Sequence, residues 1–403
     1  MIKDTSRILA ADLIVAATAF LSLSIAPLVM NTEQFARMSL IIAVGMVLTI
    51  VLDFGLSTSA IKRYSEAGED RWLHALAWVK ITVLAIALPI AGLIWAMHGS
   101  YFFAMSLLIG AGMSLWGSVR LLDSARQRFD AYLGSNLKLA AFRLVSVPPA
   151  LFLAGTAGWI IIALYVAPIA VLCALRARQE PQMLIAPAKA TRAGLFSYAP
   201  AVYVSNVAYS ALPYLPQLVL HNRFDAHAVA SFGIVTTFIA PFSMVLVALR
   251  TYLTPRILKQ TDANFSSPFS AAGAKLLGSV IALGLGAVAA ITLFIHLVYG
   301  AKYPLAAGLF AGFGVFFVLT SMVGLFNIRL HAHSLPQLDM WVNIARVIGA
   351  CVVLYFFGHS PLAVAMLTGL VMFVGEIALL FWVERRVRAI EQTNAAAMEA
   401  VPK

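Results

Sequence analysis

Charge is scarce in this sequence: only 11% of its 403 residues are Asp, Glu, Lys or Arg, against about 25% in an ordinary soluble domain. That shortage excludes a soluble globular protein, because 62% of the residues are apolar and there is too little polar surface to cover them. Cysteine is almost missing, and the two present, Cys173 and Cys351, sit in apolar runs. Neither their number nor their spacing makes a disulfide frame or a zinc site. No Gly-Lys-Ser/Thr phosphate loop exists, so ATP hydrolysis is not expected and no cofactor is implied. No long extramembrane segment carries a Ser-His-Asp or paired-carboxylate constellation, so an enzyme is not expected either. The apolar runs last about 20 residues without the alternation of a membrane β-strand, which excludes a β-barrel.

What is present is an all-α polytopic membrane protein. Twelve helices of about 20 residues need about 240 residues, close to the apolar residues available. Breaking the apolar runs at charged, Pro-Gly or polar clusters places spans near 8–30, 38–60, 75–97, 100–119, 135–155, 158–175, 197–220, 229–253, 273–297, 305–328, 340–357 and 361–383. Lys3 and Arg7 precede a run long enough to span, and Pro27 stands where a signal peptide would want a small-residue cleavage site.

Basic residues test this map. The amino terminus, the even-numbered loops and the tail hold 19 Lys and Arg, whereas the odd-numbered loops hold three, Arg37, Arg223 and Lys302. A missed helix would scramble that contrast. The positive-inside rule then places both termini in the cytoplasm. The excess of 28 basic over 17 acidic residues is explained the same way and does not imply nucleic acid, for which no aromatic-plus-basic platform exists.

The longest polar stretch between spans, Arg176 to Arg192, divides them six and six, as where a parallel-repeat transporter joins its halves. The organisation expected is a six-helix bundle at 1–180, a cytoplasmic linker at 181–195, a second six-helix bundle at 196–383 and a cytoplasmic tail at 384–403. The halves echo each other weakly, with Leu28-Val29-Met30 in one and Leu218-Val219-Leu220 in the other.

Three patches carry a family resemblance. Glu33-Gln34-Phe35-Ala36, then Asp53-Phe54-Gly55-Leu56-Ser57 and Arg63-Tyr64, resemble the opening of the Wzx-like polysaccharide biosynthesis flippases of the multidrug/oligosaccharidyl-lipid/polysaccharide exporter superfamily. Ala230-Ser231-Phe232-Gly233 through Pro241-Phe242 to Leu253-Thr254-Pro255-Arg256-Ile257 is similar to that family's segment in the second half. Tyr299-Gly300-Ala301-Lys302-Tyr303 resembles the loop after its ninth helix.

The resemblance implies a translocase of O-antigen or exopolysaccharide repeats. Such a protein moves an undecaprenyl-pyrophosphate-linked oligosaccharide to the outer leaflet of a bacterial inner membrane. Two bundles rock around a central cavity, driven by an ion gradient. The implied partners are that lipid-linked sugar, the bilayer, and polysaccharide polymerase and export proteins, around a monomer. The two extra carboxy-terminal helices of lipid II flippases are absent, which turns the expectation away from peptidoglycan precursor.

Ionisable residues inside spans are costly and ask for a reason. The cations are Lys80, Lys138, Arg143, Arg250, Lys275 and Arg346, and the anions Asp12, Asp53 and Glu376. Lys138, Lys275 and Asp12 are shallow enough to snorkel. Asp339, Asn343 and Arg346, at i, i+4 and i+7, share one helix face. Thr236, Ser243 and Arg250 make a polar stripe, as do Tyr203, Asn206, Ser210, Pro213 and Gln217 on a helix that Pro200, Pro213 and Pro216 should bend or break.

Arg143, Arg250, Arg346 and Lys80 are therefore expected to bind the phosphates at an inner mouth, since guanidinium matches a phosphate with a planar fork of donors. Tyr203, Asn206 and Asn343 are expected to contact sugar. Asp53 and Glu376 are candidates for ion coupling. The preferred competing reading makes each a static partner of an Arg on a neighbouring span, because buried charges pair.

Three function classes are open: the flippase, a cation-coupled multidrug exporter of the same superfamily, and a membrane-bound polysaccharide polymerase or ligase. The exporter wants a deep carboxylate if its drugs are cations. The enzyme needs a long outward loop. His331-Ala332-His333 supplies too few ligands for a metal site. Gly308-x-x-x-Gly312 and Gly110-Ala111-Gly112 most simply permit close helix packing.

Overall fold

The computed structural model describes residues 2–98, 101–154, 156–196, 200–259, 271–324 and 336–399. Within them the side chains of 2–9, 98, 153–154, 201–202, 244–259, 271–273, 276, 336 and 387–399 lie outside the description. The described residues are helical almost throughout and contain no strand. Among the described residues ten helices are long and apolar enough to cross a membrane. Large apolar side chains lie exposed along them, Leu283 and Leu297 by at least 73%, a surface that water would not tolerate and lipid does. The chain is a multi-pass membrane protein.

The first compact unit is Met1–Met244. Its helices are α1 (Ile2–Val29), α2 (Thr32–Val51), α3 (Leu56–Ala67), α4 (Arg71–His98), α5 (Tyr101–Ala125), α6 (Phe129–Pro149), α7 (Ala157–Ile161), α8 (Ala167–Gln179), α9 (Lys189–Phe196), α10 (Pro200–Ala211), α11 (Leu215–Arg223) and the front of α12 (Ala226–Lys259). The Asn31 side chain caps α2 by accepting from the Gln34 N–H at 2.8 Å, satisfying an amide that has no partner within the helix.

Several of the expected spans are interrupted helices. Pro148 and Pro149 close α6, and since proline offers no N–H the backbone widens into a π turn at Ala150–Ala154. Pro213 and Pro216 break the seventh span as expected, into α10, a tight turn at Leu212–Tyr214 and α11.

Close helix crossings rest on glycine. A Cβ on Gly110 of α5 would lie 2.6 Å from the Leu48 Cβ of α2, and one on Gly45 would lie 2.7 Å from Ile109. At that crossing the Ser106 hydroxyl donates to the Ile41 carbonyl at 3.2 Å. A core of Leu73, Leu115, Trp116, Val119, Leu139 and Ile169 fills the space between α4, α5, α6 and α8. The linker packs down through buried Met183 and Leu195, and the Ser59 hydroxyl of α3 donates to the Leu195 carbonyl at 2.7 Å.

The second compact unit is Val245–Lys403. It contains the rest of α12, then α13 (Ala271–Tyr299), α14 (Ala306–Gly324), α15 (Pro336–Phe357) and α16 (Pro361–Glu399). α14 packs against both α13 and α16, and α15 against α16. Gly312 faces Met366, where an added Cβ would come within 2.7 Å of its Cγ. The Gly308 position has open space and needs no small residue. His331 and His333 lie outside the described residues.

Candidate functional site

Within the first unit, α1, α2, α11, α12 and the turns before α8 and α11 enclose a cavity of about 100 Å³. Its wall is apolar and aromatic, with Leu23, Phe35, Met38, Met46, Tyr165 and Tyr214, and is relieved by Ser39, Gln217, Thr236 and Thr237. Among the described residues no carboxylate and no basic side chain lines it. Gln217 donates from Nε2 to the Ser39 Oγ at 2.6 Å, and Ser39 donates onward to the Ala36 carbonyl at 3.0 Å. The Gln217 Oε1 is buried and accepts no hydrogen bond from the described residues. Thr236 and Thr237 both donate to the Gly233 carbonyl at 2.9 Å.

Gly233 keeps this space open. A Cβ there would stand 2.6 Å from the Ser39 Oγ and 3.3 Å from the Phe35 ring. A volume near 100 Å³ is about three times the roughly 30 Å³ share of one liquid water. It suits one ring or one small polar group of a cargo.

Behind the wall a second π turn, Ile162–Val166, brings Tyr165 to the cavity and turns two carbonyls towards α6. Ser146 donates to the Ala163 carbonyl at 3.0 Å, and the Arg143 Nε to the Leu164 carbonyl at 2.8 Å. The Arg143 guanidinium stacks over the Tyr165 ring at 5.4 Å from its centre and is 2% exposed. Among the described residues Arg143 forms no ion pair with a carboxylate. Backbone dipoles and the ring face offset part of its desolvation.

Five of the other charged residues singled out in the sequence, Lys80, Asp53, Arg346, Glu376 and Asp12, are paired. The Lys80 Nζ, fully buried, lies 3.0 Å from the Asp53 carboxylate. Arg346 reaches from α15 to Glu376 on α16 at 2.7 Å. It also donates to the Asn343 Oδ1 at 2.7 Å, and Asn343 donates to Asp339 at 3.1 Å, so the i, i+4, i+7 face is a connected polar chain. Gly375 makes room for it, since a Cβ there would overlap the Arg346 side chain. Asp12 pairs with Arg120, and the Tyr132 hydroxyl donates to the same carboxylate at 2.8 Å.

Tyr203 donates its hydroxyl to the Val51 carbonyl at 2.8 Å. Asn206 is exposed. The backbone of Arg250 lies in α12, and its side chain is outside the described residues. Ser39, Tyr165, Tyr214 and Thr237 were not expected as site residues. They stand on separate segments, and a lone Ser or Tyr within an apolar run carries no spacing signal that joins them.

At the ends of α4, α5 and α8 a charged network holds the helices together. Arg126 meets Asp70 at 3.0 Å and Glu180 at 2.8 Å, Arg176 meets Glu180 at 3.0 Å and also pairs with Asp123, and His74 lies 3.5 Å from Glu180. Burial alone would raise the Glu180 pKa. Hydrogen bonds from Arg126 and the charges of Arg176, Arg126 and His74 override it and hold the carboxyl below its ordinary range.

A depressed carboxyl stabilises the folded state above its unfolded pKa, about 4.3 for Glu. That contribution fades as pH falls through the lower folded value. Glu180→Gln is expected to lower the thermal midpoint in detergent by about 2–4 °C at pH 7, with the gap to wild type closing below about pH 4. A gap that stays constant down to pH 3 would show that the charge of Glu180 is not what stabilises.

No protein-family model and no curated protein matches the sequence. Solved structures do resemble the fold. An inward-facing multidrug resistance MATE family transporter of the MOP superfamily aligns at a TM-score of 0.67 and 15% identity over 94% of this chain and 95% of that one. An outward-facing form of such a transporter aligns at 0.63 and 15%, over 96% of each chain. A MOP superfamily transporter from Pyrococcus furiosus, described as having a binding pocket of reverse polarity that suggests a different function, aligns at 0.63 and 13% over 96% of each. The chain has the MATE-like fold.

Proposed function

We propose that this protein is a cation-coupled exporter that carries amphipathic cargo, neutral or anionic, across the membrane by alternating access. The observation that carries the reading is the cavity: aromatic and thioether groups for an apolar body, the Gln217 carbonyl oxygen for a donor, and no acidic group to attract a cation. The fold supports the transport cycle, because inward-facing and outward-facing structures of MATE transporters both align with the chain nearly end to end. Arg143, stacked behind Tyr165, gives that wall a positive background. Asp53 and Glu376, the intramembrane carboxylates considered for coupling, are each held by a paired cation.

A second reading has one observation in its favour. Arg143 is a buried guanidinium with no carboxylate partner among the described residues, as phosphate recognition would want. In that reading the cargo is the undecaprenyl-pyrophosphate-linked oligosaccharide of a bacterial inner membrane. Arg143, with Arg250, Arg346 and Lys80, then meets the pyrophosphate, Tyr203, Asn206 and Asn343 meet sugar, and the cavity holds a single sugar ring. Lys80 and Arg346 are matched by Asp53 and Glu376, which leaves less positive charge for the headgroup than six intramembrane cations suggest.

Deleting the gene and restoring it on a plasmid separates the readings. The exporter reading expects sensitivity to neutral and anionic amphipaths to rise several-fold on deletion and to return on restoration. Lipid-linked saccharide piling up at unchanged drug sensitivity replaces it with the flippase. Sensitivity to lipophilic cations alone contradicts the charge argument.

A further inference from the structure

The second span, α2, is largely apolar over its 20 residues and gives way at its end to a turn and the amphipathic α3, which carries Lys62, Arg63 and Glu66. α2 ends at Val51, the chain turns through Asp53, Phe54 and Gly55, and α3 begins at Leu56. Phe54 and Gly55 both take left-handed backbone, at φ 52° and 69°, a conformation that is costly for phenylalanine and not for glycine. In the turn the Asp53 and Phe54 N–H groups donate to the Ile50 and Val51 carbonyls at 3.1 and 3.3 Å, and the Leu52 carbonyl beside the Asp53 carboxylate is turned to α4. Asp53 accepts from the Ser57 hydroxyl at 2.5 Å. Tyr203 also donates to the Val51 carbonyl at 2.8 Å, and its Cβ would be 3.1 Å from a Cβ on Gly55, so no larger residue fits the turn.

A carboxylate, a bare carbonyl and a hydroxyl at the end of a membrane helix form the oxygen set that holds a monovalent cation in transporters. Here that place is filled. The Lys80 ammonium, 0% exposed, enters from α4, lies 3.0 Å from Asp53 and donates to the Leu52 carbonyl at 2.8 Å. An ammonium is a compact point charge with three donors on a flexible stem, and here it meets the carboxylate and the Leu52 carbonyl, while the Ser57 hydroxyl is engaged on Asp53. Helix-end carbonyls favour positive charge, ammonium and sodium alike.

We infer that Lys80 is a tethered cation occupying a monovalent-cation site built where the second span ends, so that this locus takes no free sodium in the native protein. The inference concerns the ion locus, and it stands whichever cargo is carried. Its consequence is that removing the side chain vacates a site with a net negative charge. In Lys80→Ala, sodium should bind.

The test is thermal unfolding of the purified full chain in detergent, in sodium chloride against choline chloride at equal ionic strength. Wild type should show no sodium-specific shift. Lys80→Ala should gain about 2–5 °C in sodium, as a ligand present well above its Kd stabilises the state that binds it. Adding Asp53→Asn should remove that gain. Lys80→Met, which refills the space with an apolar chain, should stay indifferent. If Lys80→Ala is recovered folded only when sodium is present, that also supports the inference. It is overturned if Lys80→Ala responds no more than wild type, if it is recovered in neither salt, or if wild type shows a sodium-specific rise that Asp53→Asn abolishes. These readouts do not involve transport, so their failure is distinct from failure of the cargo assignment.

Discussion

Arg346→Ala is expected to destabilise the protein by about 3–5 kcal/mol, the cost of leaving one member of a buried ion pair without the other. Both side chains are nearly sealed, at 2% and 6% exposure, and their atoms meet at 2.7 Å. The loss also breaks the chain to Asn343 and Asp339 on the same face of α15. Unfolding by denaturant in detergent measures it. The double variant Arg346→Met/Glu376→Leu should recover most of the loss, because lipid-like surroundings favour an apolar pair over two half-satisfied charges. A single-variant cost under about 1 kcal/mol, the range of exposed pairs, would mean that the pair holds nothing together.

Gly233→Val should lower transport at least about tenfold, equivalent to about 1.4 kcal/mol of lost productive binding, while the protein still inserts and folds. The added carbons enter the cavity where Ser39 already stands 2.6 Å from a single Cβ. They displace the Ser39 to Gln217 hydrogen bond and fill the volume that a cargo ring would use. Overpacking costs about 1–3 kcal/mol of stability, so the folded fraction is measured beside uptake. Gln217→Leu removes the orphan acceptor without filling the space. It should weaken cargo carrying a hydrogen-bond donor and spare cargo without one.

Much of the architecture was legible along the chain because the bilayer imposes length and polarity on every span. The face formed by Asp339, Asn343 and Arg346 was legible because helical period is local, and the hydrogen bonds at 3.1 and 2.7 Å fall along it. The prolines told where the seventh span breaks, at Leu212–Tyr214.

What could not be read is which charges meet. The preferred reading gives Asp53 and Glu376 an Arg on a neighbouring span as partner, yet no spacing within one helix names it: Glu376 meets Arg346, whereas Asp53 meets Lys80. The cavity was hidden for the same reason. Its wall gathers Phe35, Tyr165, Tyr214 and Gly233 from distant stretches, and Tyr165 arrives there on a π turn that has no simple sequence signature. Arg143 was recognised as a deep cation, but its stacking on Tyr165 depends on that same turn.

Uptake by the purified protein in proteoliposomes is the most direct trial of the central claim, with an imposed proton or sodium gradient and two dyes of matched size, one an anion such as fluorescein and one a cation such as ethidium. The account predicts gradient-dependent accumulation of the anion, several-fold over the cation, and its loss in Gly233→Val. Gradient-driven accumulation of the cation in preference to the anion, or equal uptake by Gly233→Val, would contradict it.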